Sequence, residues 1–211
     1  MTKIRLFLVA TAIIASFRYV DGKIVNRVTI TKASTYLENN YSLQDAIIKT
    51  IKAYQNEDEK TLNNLIHKDF GIVFLYRRGA IDNASVDTRI SFDNPVPEYL
   101  PFDNMFETDY KIHFEELPKF CCDEWEWSKP TGIYCDTIHI DTTLSRIAKF
   151  EKKHLINDWT DSEIEKFEKI ERKSHKIIVV SNKQGTFIFY LTFIDNRWWL
   201  TIIDRFEVCT A

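Results

Sequence analysis

Thr186–Ile194 reads TFIFYLTFI, and after Asp195-Asn196 the chain continues as Arg197–Phe206, RWWLTIIDRF. The first run is β-branched or aromatic at nearly every position and too short for a buried helix, so it predicts a strand covered on both faces, at the centre of a sheet. Upstream, His175–Ser181 (HKIIVVS) is a third run of the same kind, joined through Asn182-Lys-Gln-Gly185. Turn residues at both junctions predict three strands in antiparallel succession. In the last strand Trp198, Leu200 and Ile202 alternate with Trp199, Thr201 and Ile203. This predicts one face on the core and the other on a helix or cavity.

Working outward, Thr160-Asp-Ser-Glu163 is a capping box opening a helix whose apolar stripe is Ile164, Phe167 and Ile170. Asp141 or Thr142 is placed to cap a preceding helix carrying Leu144, Ile147 and Ala148. Three short strands are expected at Lys111–Glu115, Cys122–Trp127 and Ile133–Ile140. Ala80–Asp109 is rich in Asp, Asn, Ser and Pro, with Pro95, Pro97 and Pro101 close together, and reads as an irregular excursion. Ile72–Tyr76, after Gly71, reads as a buried strand. Further upstream, Leu43, Ile47, Ile48, Ile51 and Tyr54 share a helical face over about Leu43–Asn56, with Ser42 as the cap. Leu62, Leu65 and Ile66 form a second, shorter helix after Glu57-Asp58. The expected class is α+β: an N-terminal helical hairpin packed on a curved, mostly antiparallel sheet that ends in a three-strand C-terminal meander.

Lys3 and Arg5 precede an apolar run, Leu6–Phe17, that stops at Arg18, too short to span a bilayer. This is the layout of a secretory signal, with cleavage expected after Gly22 or, second, at Ser16. The reading makes 1–22 a signal peptide and 23–211 a single α+β domain. It implies a secreted or periplasmic product with no integral membrane segment after processing. Cleavage removes Lys3, Arg5, Arg18 and Asp21, taking the net charge from −3 to −5. An acidic chain without clustered Lys and Arg makes nucleic acid an unfavourable partner.

The four cysteines, Cys121, Cys122, Cys135 and Cys209, are expected to pair in such a compartment. Ser-Lys-Pro-Thr-Gly between Cys122 and Cys135 is a turn signal. It favours a bridge from Cys135 to Cys122, with Cys121 as the alternate.

The carrying stretches Leu43–Ile66 and Thr186–Phe206, with His67–Gly79 between them, resemble the nuclear transport factor two-like superfamily of cone-shaped α+β folds, including exported bacterial proteins of unknown function. The resemblance implies a sheet wrapped around the helices and a pocket used by different members for catalysis, small ligands or dimerisation. It matches a pattern and no catalytic motif, and it licenses no activity.

His67-Lys-Asp69, His113-Phe-Glu115 and His139-Ile-Asp141 each place an imidazole and a carboxylate two residues apart, as chance also does among many acids. No metal or cofactor is assigned from them. Candidates for acid–base chemistry are Asp204, His113 and His139. A buried Asp204 would have a raised pKa, although its place beside Arg205 at a strand end makes exposure the simpler account. For ligand recognition the candidates are the aromatics Trp125, Trp127, Trp199 and Tyr76. The function expected is a non-enzymatic module that binds a small ligand or a protein, or forms a homodimer through the sheet. The alternative is a pocket enzyme of hydrolase, isomerase or dehydratase type.

Overall fold

The computed structural model describes residues 19–20, 23–24, 32–105, 109–181, 186–206 and 209, with side chains from Leu43 onward. The chain divides at Asn39/Asn40 into two compact units. In the first, β1 (Tyr19–Val20) pairs antiparallel with β2 (Lys23–Ile24). The remainder of the expected signal segment lies outside the described residues, as does the Asn182–Gly185 turn.

The second unit is α+β and carries a mixed, mostly antiparallel seven-stranded sheet. Its strands are β3 (Ile72–Arg78), β4 (Ile81–Asp87), β5 (Ile112–Phe114), β8 (Gly132–Asp136), β9 (Ser174–Val180), β10 (Thr186–Ile194) and β11 (Arg197–Asp204). They run in the order β4-β3-β11-β10-β9-β8-β5, so β10 is the middle strand. Among the described residues of this sheet, only β11 with β3 and β5 with β8 pair in parallel. Asp195 and Asn196, at φ 49° and 61°, close the β10–β11 hairpin with the twist such turns require.

One sheet face packs on α1 (Lys32–Gln55) and α2 (Glu59–Asn63). Leu43, Ile47, Ile51 and Tyr54 meet Phe74, Ile177, Phe187, Phe189 and Ile203 in the largest apolar cluster. The helix begins at Lys32, eleven residues before the expected start at Leu43, so Ser42 lies inside it. Asp58 caps α2 by accepting from the Thr61 N–H at 3.0 Å. The opposite face is covered by α3 (Thr143–Lys153) and α4 (Asp161–Glu171), which bury Leu144, Ile147, Phe167 and Ile170 against Val73, Leu75, Tyr190 and Ile202. The Thr160–Glu163 capping box is present in both directions. Beside these helices, β6 (Phe120–Cys121) and β7 (Glu126–Trp127) form a small ribbon, from which Trp127 packs on Tyr134, Ile178 and Val180.

Two sequence expectations change here. The excursion starts after Asp87, because the polar stretch Ile81–Asp87 is an edge strand beside β3. The N–H of its Ala84 is met by buried Glu151 of α3 at 3.2 Å, which protects an edge otherwise open to pairing. The segment beyond Asp87 contributes to the core layer. The Asn63 amide grips both backbone groups of Ile90 at 2.7 and 3.0 Å, and Phe92, Val96 and Phe102 pack beside α1.

The strict alternation in β11 also fails. Tyr190 pairs with Ile202 while Leu191 pairs with Leu200, which leaves Thr201 as the extra residue of a bulge. Trp198, Leu200 and Ile203 therefore share the α1 face, and Ile202 turns to α3 and α4. The Thr201 hydroxyl is satisfied by Thr192 at 2.6 Å, and Thr192 in turn by Ser174 at 2.6 Å, so the bulge buries no unpaired hydroxyl.

Candidate functional site

Where β10 begins and β11 ends, Phe187 and Ile203 face α1 while Ile188 and Asp204 face the other way. A cleft of about 440 Å³ opens at this end of the sheet, lined by Tyr54, Phe102, Trp125, Phe187 and Phe206 together with Asp103, Asp204 and Arg205. Tyr54 stacks on Phe187 with ring centroids 3.9 Å apart and meets Phe102 edge-on at 6.0 Å. Burial pushes the Tyr54 hydroxyl well above the usual phenol range, so it stays neutral in the wall.

Arg205 holds the cleft's outer rim. Its guanidinium donates to the carbonyls of Val96, Leu100 and Pro101 at 2.5, 2.5 and 2.7 Å and lies 4.1 Å from the Phe102 ring centroid. Asp204 and Arg205 are both buried, contrary to the exposed strand end expected for them. The reason is that the 88–105 segment folds over Arg205, with Arg205 replacing water at three carbonyls. Arg205→Leu is expected to destabilise by about 2–3 kcal/mol through those unmet carbonyls. Urea unfolding measures this, and limited proteolysis should show earlier cutting within 88–105.

Trp125 closes the cleft from the ribbon side. It sits in the four-residue turn between β6 and β7 at φ 54°, a left-handed conformation uncommon for a bulky residue, and it is 70% exposed. Cys122, at the start of the same turn, forms a disulfide with Cys209, which ties the turn to the C-terminal segment. The expected partner, Cys135, lies in β8 with its side chain in the α1-side core, so the Cys122–Cys135 pairing is corrected. Burial pushes the Cys135 thiol up to about 12, which leaves it inert. Cys121, the alternate, is also a free thiol and is partly exposed.

Behind the cleft lies a buried charge network. Lys176 of β9 donates to Asp204 and to Asp141 at 3.1 Å each, and the Tyr190 hydroxyl donates to Asp141 at 2.8 Å. Asp204 lines the aromatic cleft. Asp141 and Lys176 line a second cavity of about 340 Å³ shared with Asp136 and His139. Burial by itself lowers the Lys176 pKa, but the two carboxylates outweigh it and the net shift is upward. Burial likewise opposes ionisation of Asp141, yet the Lys176 charge and the bonds from Thr143 and Tyr190 hold it at about 2. Asp204 is the more deeply buried carboxyl, and burial raises it despite Lys176.

The other sequence candidates lie elsewhere. His139 donates from Nδ1 to the Asp136 carboxylate at 2.7 Å and is largely exposed, and His113 stacks on Tyr134 at the β5 edge. Trp127 meets Phe120 edge-on and belongs to the packing under the ribbon. Trp199, at the far end of the β10–β11 hairpin, lies under Arg197 and against His67. Tyr76 packs beside the α1-side core. Among the described residues no three His, Cys, Asp or Glu side chains converge as metal ligands.

Lys176 and Tyr190 were not singled out from the sequence. The available signal was a lone lysine inside HKIIVV whose β10 partner in register is Tyr190. Compared with models of protein families, curated proteins and solved structures, the chain matches none of them.

Proposed function

We propose that this protein is a non-enzymatic binding module whose site is the aromatic cleft between the 88–105 segment and the β6–β7 turn. One observation carries the reading: an exposed Trp125 is held at positive φ over an aromatic cleft by a turn that the Cys122–Cys209 disulfide anchors. A strained backbone and an exposed indole both disfavour the unbound state, and a ligand that covers the indole offsets the second. The cleft suits a small ligand with a flat apolar face, such as a sugar ring or an aromatic ring, and Asp103 at the rim would accept its hydroxyl or N–H groups. A disulfide fits an oxidising compartment, which supports the secreted or periplasmic placement. Among the described residues no helix is long and apolar enough to cross a membrane.

The nuclear transport factor two-like reading belongs to this proposal too. Supporting it are α1 and α2 on one sheet face, the antiparallel succession β9, β10, β11, and a cleft at the sheet's end. With both sheet faces packed, a homodimer through the sheet would pair along the short edge strand β5. The enzyme alternative draws on one observation, the buried Asp204 with its raised pKa in the cleft wall.

Trp125→Gly separates these readings. Glycine accepts the left-handed conformation without a Cβ, so stability should stay within about 0.5 kcal/mol of wild type. Ligands found by a thermal-shift screen of sugars and aromatic amphiphiles should lose at least about ten-fold in affinity, seen by calorimetry. Unchanged affinity in the variant would remove the cleft from the reading. Turnover of a bound compound that disappears in Asp204→Asn would favour the enzyme.

A further inference from the structure

The two edges of the seven-stranded sheet are finished differently. At β4 the Ala84 N–H is met by Glu151, whereas β5 pairs with β8 in parallel and carries no further strand among the described residues. Backbone groups along a strand point alternately to its two sides. The Glu115 N–H reaches the Cys135 carbonyl of β8 at 3.2 Å, so Ile112 and Phe114 direct their N–H and C=O groups the other way, toward the open edge. Their side chains share one sheet face, and Phe114 is 45% exposed there.

The sequence at this edge is self-complementary. When β5 is laid antiparallel on a second copy about a two-fold axis at His113, Ile112 faces Phe114 of the second copy and Lys111 faces its Glu115. Ile112 and Phe114 then exchange N–H···O=C bonds with their opposites, the hydrogen-bonded pairing of an antiparallel ladder. The apolar pair covers Phe114 on one sheet face, and a Lys–Glu pair closes each end of the ladder on the other. Glu115 holds Lys129 through Oε1 at 3.0 Å, and half of its side chain stays exposed for a second cation. Sliding the register by two residues forfeits the ion pairs, because His113 then faces Lys111 in one direction and Glu115 in the other. A lysine at an edge discourages pairing with unrelated strands, and the second copy meets it with a carboxylate.

We propose that the β5 edge docks a second copy of this chain antiparallel, with His113 on the two-fold axis and Lys111 paired to Glu115 of the second copy. The proposal rests on the homodimer reading above and fixes its register; it uses no residue of the aromatic cleft. A ladder this short belongs with small, weak interfaces, so a dissociation constant of about 10–100 µM is expected.

Sedimentation velocity of the full protein from ~5 to ~500 µM tests the dimer, and two sets of variants test the register. Lys111→Glu sets carboxylates against Glu115 of the second copy and should weaken self-association about ten-fold or more; adding Glu115→Lys to it should restore the wild-type value within about three-fold, since each charge again meets its opposite. His113→Cys, made with Cys121→Ser to remove the partly exposed free thiol, brings two thiols face to face at a non-hydrogen-bonded pair, about 4.5 Å between Cα atoms and within disulfide reach. Mild oxidation should give a covalent dimer at least about ten-fold faster than from Lys111→Cys in the same background, whose thiol faces Glu115. The charge variants, at exposed positions, decide the matter if His113→Cys does not fold. A monomer at every concentration overturns the proposal together with any homodimer through the sheet. A dimer that Lys111→Glu leaves unchanged, or that cross-links no faster at 113 than at 111, overturns this register and leaves the sheet homodimer standing.

Discussion

Lys176→Met is expected to destabilise the protein by about 3–5 kcal/mol, among the largest effects of any single side chain outside the apolar core. Lys176 is partly buried, its side chain 18% exposed, and it faces Asp141 and Asp204 at 3.1 Å each. Methionine fills the same volume, so the loss comes from charge: Asp204, its side chain 5% exposed, would remain buried without a cation, and Asp141, 26% exposed, would lose its partner. Urea unfolding should show a lower midpoint with an unchanged slope. Adding Asp141→Asn and Asp204→Asn to Lys176→Met should recover most of the loss, because replacing a whole buried ionic group is far milder than breaking it. A single-variant effect below about 1 kcal/mol would show that the network is hydrated and weak.

The same network sets an acid limb. Asp141 is held at about 2 against an ordinary 3.8, a folded pKa below the unfolded one. The stability it contributes is fully present above pH 3.8 and is lost as the pH falls through about 2. That shift corresponds to about 2 kcal/mol. Asp141→Asn should lose this amount at neutral pH and show a flatter decline between pH 4 and 2, as followed by thermal unfolding across the range. Lys176 works in the opposite sense. Its raised pKa contributes stability below the ordinary lysine value of 10.5, lost only as the pH climbs through the higher folded value.

The parts of this molecule legible in its sequence are those governed by local chemistry. TFIFYLTFI is apolar in both alternating sets, and a strand of that composition has no stable place except between two packed layers; it is the middle strand β10. Thr160 and Glu163 satisfy each other's backbone groups within one turn and need no tertiary partner to be recognised. Ile81–Asp87 escaped recognition because an edge strand is paired on one side only and tolerates polar residues such as Asp82, Asn83 and Ser85. Its stability comes from hairpin pairing with β3 and from Glu151, which lies 67 residues further along the chain. The bulge at Thr201 was invisible for a related reason: register is set across strands, and a single extra residue reverses which of Ile202 and Ile203 meets α1. The cleft was partly legible. Trp125 stood out as an indole alternating with Glu124 and Glu126 in an expected strand that the structure shows to be a turn, but Tyr54, Phe102 and Arg205 reach it from positions up to 151 residues apart, and no periodicity records that convergence.

Removing the Cys122–Cys209 bridge should have an effect of similar size through a different route. The two cysteines are 87 residues apart in the chain. Cross-linking a loop of that length restricts the unfolded ensemble by about 4.5 kcal/mol in the chain-entropy model, near the upper end of what disulfides contribute. Cys122→Ser, Cys209→Ser and the double variant should therefore lose the same amount, since each abolishes one bond, while Cys121→Ser should change stability little. Alkylation in guanidinium without reductant should find two free thiols, Cys121 and Cys135, and peptide mapping should join Cys122 to Cys209. A peptide joining Cys122 to Cys135 would overturn the pairing. The bridge also bears on the cleft, because it holds the turn that carries Trp125. If it positions that wall, Cys209→Ser should weaken cleft ligands under conditions where the variant is still folded, and Trp125 fluorescence should shift toward that of a fully solvated indole. Unaltered affinity in a folded Cys209→Ser protein would restrict the disulfide to stabilising the chain, leaving β6 and β7 alone to present Trp125.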